Sequence, residues 1–392
     1  MAIAQTSVYK RHMRGALYVL NFILAIQMST TAYYIANFFT DTGIQEKYIG
    51  FIFVIASLIS IVTLIFSKYL LARFGNYKLL LLSALINLLA FLGYAISSYT
   101  LFLVCMFILS TAIGSLMILS LDLFLSESTV SESVGKTRSF FLTSANIAFV
   151  VGPFIGGFII QHYSFKILFL GAALLIIPFV FIAASSLKSF RDPHYPSVHT
   201  TKVMQKIWHN PDVFNVFVAQ FLLRFFYAVM GIYTPLYLIQ HIGFTFQETG
   251  IIFSIMLLPF VLFEIPVGKL ADAYFGEKEL MGLGFIITAL SSLFLIHINE
   301  TNLALFAAVL FITRTGASMI EITTESYFFK HVDQNEPNII SAFRALFPIA
   351  YIIAPLTMIL VLAVLPIESV FIVLAIFVAS GVFFALKITD TK

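Results

Sequence analysis

Read along the chain, apolar residues gather in runs of about twenty or more, the length an α-helix needs to cross the hydrocarbon core of a bilayer. Short polar breaks separate them. The runs fall near 15–39, 48–68, 77–97, 101–125, 139–161 and 166–187, and after a polar stretch from Lys188 to Asn210 six more follow near 211–239, 247–268, 280–298, 302–326, 339–363 and 368–387. The pattern predicts an all-α membrane protein with twelve transmembrane helices. Two six-helix bundles are expected, at 1–190 and 211–392, joined by a cytoplasmic linker at 191–210.

Composition agrees with lipid as the main solvent. Of 392 residues, 60% are hydrophobic and 10% charged, where a soluble domain carries about 25% charged residues. A mean hydropathy of +1.00 excludes an ordinary soluble enzyme. None of HExxH, Gly-x-Ser-x-Gly or a His pair lies in a run, so a membrane-embedded enzyme is not expected either. The net charge of +3 is too small and too scattered for a nucleic-acid surface. Cys105 is the single cysteine and the eight His show no ligand spacing, so no metal and no cofactor are expected.

Charge placement sets the orientation. Cytoplasmic loops carry the excess of Lys and Arg. With both termini in the cytoplasm, only Lys47 and Lys166 sit near outer loops, Arg224 and Arg314 fall mid-helix, and the other basic residues lie at the inner face. The polar, basic segment Met1–Arg14 precedes a run too long for a signal-peptide core, which is therefore read as a retained helix.

The two halves repeat one another at an offset of about 200 residues. Gly43 and Gly50-Phe51-Ile52-Phe53 align with Gly243 and Gly250-Ile251-Ile252-Phe253, Gly75 with Gly276, and Pro153 with Pro355. Three anchors in order across equivalent runs point to duplication. Two such halves related by an axis along the membrane normal are a transporter architecture.

Here the chain resembles the major facilitator superfamily of secondary transporters over essentially its whole length. That family carries a turn signature, roughly Gly-x-Leu-Ala-Asp-Arg-x-Gly-Arg-Lys, after its second and eighth helices. The second copy here reads Gly268-Lys269-Leu270-Ala271-Asp272-Ala273-Tyr274-Phe275-Gly276-Glu277-Lys278, with one residue inserted before the second glycine. The resemblance implies that Asp272 latches the cytoplasmic face against a helix start in the opposite half, near Lys136 and Arg138, where a helix N-terminus favours an anion. The other reading of Asp272 is a solvated turn carboxylate. The first copy keeps Arg73 and Gly75 but has Ala72 at the acidic position, and Asp122 in the fourth run is the natural structural partner for Arg73.

In the fifth run, Gly152-Pro153-Phe154-Ile155-Gly156-Gly157 is similar to the Gly-Pro-x-x-Gly-Gly element of the family's antiporters. Gly152 and Gly156 also form a small-residue stripe against which another helix can pack closely. The fourth run has Ser110 where the family places a buried arginine linked to proton transfer, so proton coupling does not carry over from that position.

Ionisable residues inside a membrane helix face a cavity or a partner. Arg314, Ser318, Glu321 and Glu325 in the tenth run follow a 3.6-residue period and share one face. Gln220, Arg224, Tyr227, Gly231 and Thr234 do so in the seventh, and Gln27, Thr30, Tyr34 and Asn37 in the first. The resemblance implies that the first, fourth, seventh and tenth helices line the central cavity. Candidate substrate-binding residues are therefore Gln27, Thr30, Tyr34, Asn37, Gln220, Arg224, Tyr227, Thr234, Arg314 and Ser318. Two readings of Arg224 and Arg314 stay open: they bind an anionic substrate through bidentate contacts, or Glu321 and Glu264 neutralise them. Glu264 and Glu321 are the candidate proton-coupling carboxylates, because burial disfavours a charged carboxylate. Arg73, Gly75, Asp122, Gly152, Pro153, Gly156, Gly157, Gly268, Asp272 and Gly276 are the candidate gating and conformational residues.

The functional expectation is a secondary transporter of a small organic solute working by alternating access, with proton-coupled efflux of the drug or metabolite antiporter kind. The alternative within transport is proton-coupled symport of an anionic metabolite or sugar. A non-transporting membrane receptor or a lipid scramblase is the alternative from a different class. The expected partners are solute, protons and lipid, with no nucleic acid, and the chain is expected to act as a monomer in a prokaryotic inner membrane.

Overall fold

A computed structural model describes residues 2–128, 134–188, 207–298, 300–331 and 337–389. The described residues are helical with short turns and contain no strand. In chain order the helices are α1 (Ala2–Ala32), α2 (Ile35–Asp41), α3 (Glu46–Ile96), α4 (Thr100–Ser128), α5 (Val134–His162), α6 (Phe165–Ser186), α7 (Pro211–Leu236), α8 (Phe246–Leu262), α9 (Glu264–Leu270), α10 (Glu277–Phe294), α11 (Leu303–His331), α12 (Pro337–Leu362) and α13 (Ser369–Lys387). Eleven described helical segments are long and apolar enough to cross a bilayer. The expected linker lies outside the described residues as far as position 206.

Local chemistry explains the element ends. Asn210 caps α7 by accepting the Val213 amide, with Pro211 in the first turn, where its missing N–H leaves no donor unsatisfied. A reciprocal pair between Thr245 and Glu248 starts α8. The first apolar run, expected as one helix, breaks at Tyr33 and Tyr34. Just before the break, the Ser29, Thr30 and Thr31 hydroxyls all donate to carbonyls three or four residues back, a pattern that bends helices. The eighth run breaks at Phe263, four residues before Val267, and Pro266 has no amide hydrogen for the Leu262 carbonyl.

The repeat is written in the backbone. Among the described residues the only positive-φ positions are Gly43, Gly75, Gly243 and Gly276, the glycines that align in the sequence. Gly75 (φ 73°, ψ 159°) and Gly276 (φ 79°, ψ 169°) share one conformation, which a side chain would strain. The residue inserted before Gly276 is absorbed by a π-helical turn at Ala271–Phe275, closed by the Gly276 amide donating to the Ala271 carbonyl. A single extra residue in a helix produces this wider turn.

The chain forms two compact units, Met1–Ile44 with Ile55–Tyr195, and Gln45–Val54 with Pro196–Lys392. In the first, Leu17, Leu20 and Leu24 of α1 pack with Leu80 of α3, Phe124 of α4 and Phe179 of α6. Here α1 and α5 approach so closely that a Cβ on Gly156 would lie 2.2 Å from the Thr30 carbonyl oxygen and one on Gly152 1.9 Å from Ser29 Oγ. In the second unit α10 and α11 meet at Gly284 and Gly316, where a Cβ on Gly284 would lie 2.8 Å from the Gly316 carbonyl oxygen. Large apolar side chains such as Ile65, Phe181, Leu360 and Ile376 are more than half exposed, as lipid-facing positions are and soluble surfaces seldom are.

Candidate functional site

The charged cluster of the second unit hangs on two helices, α7 and α11. Seven residues of α11 separate Arg314 from Glu321, about 10 Å of rise. That rise gives the two arginines different surroundings. Arg224 Nη2 lies 3.0 Å from Glu321 Oε1 and 3.9 Å from Glu325 Oε1. Tyr227 donates its hydroxyl to Glu321 Oε2 at 3.0 Å. Gln220, with its amide turned so that every donor meets an acceptor, donates to Thr324 Oγ1 at 3.0 Å and accepts from Arg224 Nε at 3.1 Å and Nη2 at 2.9 Å. Arg344 of α12 grips Glu325 with both terminal nitrogens, one of them at 3.0 Å.

Arg314 stands apart from this network. It is 3% exposed, its Nε has no hydrogen-bond partner, and no described carboxylate lies within ion-pair distance of it. Its guanidinium instead lies 4.8 Å from the Phe226 ring centre and 5.3 Å from that of Tyr227, within cation–π range. The Tyr227 ring also faces Arg224 at 5.5 Å. One aromatic side chain therefore touches both guanidiniums and the carboxylate.

The remaining candidates of this unit are buried nearby in sequence. Ser318 is 1% exposed and returns its hydroxyl to the Thr315 carbonyl, and Thr234 bonds the Met230 sulfur. Gly268 lies within α9, half-buried, where a Cβ would meet the Ile322 side chain at 3.8 Å. The side chains of Glu264 and Asp272 lie outside the described residues, as do those of Lys136 and Arg138.

In the first unit the polar residues of α1 and α2 engage neighbouring helices. Gln27 donates to Asn87 Oδ1 at 2.7 Å, Tyr34 donates to the Pro153 carbonyl at 2.6 Å, and Thr30 packs on Gly156. Asn37 is buried in α2. Gly152, Pro153, Gly156 and Gly157 are all buried, and the face they form receives α1. Ser110 meets the Tyr94 hydroxyl at 3.2 Å. Arg73 and Asp122 are exposed, with the Arg73 guanidinium 5.5 Å from the Phe74 ring centre.

Sequence reasoning passed over three participants. Thr324 sits three residues after Glu321 on the same face, and Arg344 is a basic residue inside an apolar run. Both signals were visible in the sequence. Glu277, fully buried, bonds Lys330 Nζ at 2.6 Å and Ser326 Oγ at 2.8 Å, tying the turn after Gly276 to the end of α11. Only the Glu277 neighbour of the positive-φ glycine hinted at it.

Long apolar helices around a buried charged cluster define a multi-pass integral membrane protein of the transporter type. The family model described as Major Facilitator Superfamily matches residues 17–247 and 216–392, and the chain belongs to that superfamily. Among curated proteins it is similar to "Multidrug resistance protein 2" of Bacillus subtilis (strain 168), 25% identical over 227 residues. That match covers 56% of this chain and 56% of the relative. Two solved structures share the fold at 13% identity, each covering 94% of both chains. One is a POT family transporter in complex with a thioalcohol conjugated peptide (TM-score 0.75) and the other a POT family transporter in complex with 5-aminolevulinic acid (TM-score 0.78).

Proposed function

We propose that this chain is a proton-coupled secondary transporter that exports small organic solutes by alternating access, with Glu321 as the coupling carboxylate. The observation that carries the reading is the Glu321 environment. One carboxylate receives both Arg224 and Tyr227, and Gln220 and Glu325 stand ready on Arg224. Protonating Glu321 removes its attraction for Arg224, and the guanidinium then has other acceptors within reach. A partly buried ion pair that can be opened by one proton is a two-state element of the kind transport coupling needs. Export as the direction is supported by the named relative and by the Gly152–Gly157 element.

The same reading counts twelve crossings in two six-helix halves. The 51 residues of α3 are two helices joined at the non-helical Gly75, and at 1.5 Å per residue each part is long enough for a hydrocarbon core of about 30 Å, which gives two crossings. Both termini are then cytoplasmic by charge placement, in a prokaryotic inner membrane, and the transporter acts as a monomer.

The test is flux into proteoliposomes under an imposed pH gradient, with a panel of anionic, neutral and cationic aromatic solutes. Antiport predicts accumulation when the lumen is acidic. Accumulation only with an acidic exterior identifies symport instead. Saturable binding with no gradient-dependent flux of any panel member contradicts the proposal.

A further inference from the structure

Counting the charges of the α7/α11 cluster leaves one over. Three guanidiniums, Arg224, Arg314 and Arg344, face two described carboxylates, Glu321 and Glu325. Arg344 and Arg224 take those carboxylates. Arg314, the most deeply buried of the three at 3% exposure, keeps only the faces of Phe226 and Tyr227.

A guanidinium cannot shed its charge inside a protein. Burial without a counter-charge is costly, and cation–π contacts return only part of that cost. The balance favours an anion from outside the chain. Its form follows from the surroundings. The unpartnered Nε, next to the terminal nitrogens, is one edge of the planar fork that takes a carboxylate with two parallel hydrogen bonds, and the adjoining Phe226 and Tyr227 rings suit an apolar or aromatic body.

We infer that Arg314 is the anchor for the carboxylate or equivalent monoanionic group of an amphipathic aromatic solute, while Arg224 serves the coupling pair and not the solute. The inference rests on the transport reading above and names its substrate class. It divides the two arginines into different roles: one neutralised within the protein and released by a proton, the other neutralised by cargo. Tyr227, which touches both guanidiniums and Glu321, is the side chain through which an occupied anion site would be felt at the coupling carboxylate.

The experiment measures equilibrium binding to the purified full-length protein in detergent, by calorimetry, for three matched aromatic pairs. Naphthoate, benzoate and salicylate are each compared with the corresponding uncharged amide. At least one carboxylate is expected to bind saturably and at least tenfold more tightly than its amide. R314Q should abolish that preference, leaving amide binding unchanged, and R314K should restore part of it, because a lysine keeps the charge but lacks the fork. R224Q, which disturbs the coupling pair and is felt at the anion site through Tyr227, should still bind the carboxylate more tightly than the amide, where R314Q does not. Where R314Q does not fold, as judged by size-exclusion chromatography and circular dichroism, R314K carries the test through its loss of affinity for the carboxylate relative to the amide.

Equal affinity for carboxylate and amide across all three pairs overturns the inference, as does an undiminished preference in R314K and R314Q. So does a preference that rises sharply in E264Q, since that result assigns Glu264 as the resident counter-charge. Because binding is read without a gradient, failure here leaves proton-driven flux of neutral or cationic solutes intact. Failure of the transport reading shows instead as binding without flux.

Discussion

Replacing Arg224 by glutamine, Glu321 by glutamine, and both together forms a double-mutant cycle on the pair that organises the cluster. Opposite charges 3.0 Å apart attract by about 5–6 kcal/mol at an effective dielectric constant near 20, before desolvation is subtracted. The side chains are 15% and 29% exposed, so part of that attraction is screened. R224Q leaves Glu321 with only the Tyr227 hydroxyl and is expected to cost about 3 kcal/mol, at the low end for an uncompensated buried charge. E321Q should cost less, about 1–2 kcal/mol, since Arg224 keeps Gln220 and the more distant Glu325. The double variant, having no orphaned charge, should cost no more than R224Q alone, which gives a coupling energy of at least about 1 kcal/mol. Denaturant unfolding in detergent micelles, followed by circular dichroism, reads each corner of the cycle. Single effects that add to within about 0.5 kcal/mol would refute the pairing and with it the separation of Arg224 from Arg314.

Two further outcomes concern packing. Gly156→Ala places a Cβ 2.2 Å from the Thr30 carbonyl oxygen, so α1 and α5 must separate by about 1 Å and thermal stability should fall by about 1–3 kcal/mol; Gly171→Ala, with nothing within 4 Å, should be nearly neutral. Tyr233 is 1% exposed and its hydroxyl has no partner among the described residues. Tyr233→Phe should therefore be neutral or stabilising by up to about 1 kcal/mol in the same unfolding assay, and a loss beyond about 1 kcal/mol would mean that the hydroxyl is bonded after all.

The sequence made the helices legible because a span must be apolar over a fixed length, and made the repeat legible because its turns require glycine. Gly75 and Gly276, aligned by spelling alone, adopt the same left-handed conformation. The inserted residue before Gly276 was also visible, although its π-helical accommodation was not, since spacing does not say whether an extra residue widens a helix or lengthens a loop. The break at Tyr33 and Tyr34 escaped because it comes from hydroxyls bonding back along their own helix, which leaves no mark on hydropathy.

Periodicity placed Arg314 and Glu321 on one face of α11 but could not choose between partners. The separation of about 10 Å along the helix carries Glu321 to Arg224 on the neighbouring helix and leaves Arg314 among rings. That division depends on how α7 and α11 face one another, which is tertiary information. In the same way the glycines of the fifth run read equally well as a packing stripe or an antiporter element. The contact with Ser29 and Thr30 gives the stripe its partner.

The central claim, that Glu321 couples solute movement to protons, is tested most directly by comparing two fluxes in E321Q proteoliposomes. The solute is the panel member with the highest wild-type flux. Solute-for-solute exchange without a gradient should persist, because the anion anchor and the spans are intact, while accumulation driven by a pH gradient should fall to the level of empty vesicles. Gradient-driven accumulation at the wild-type rate in E321Q would contradict the account.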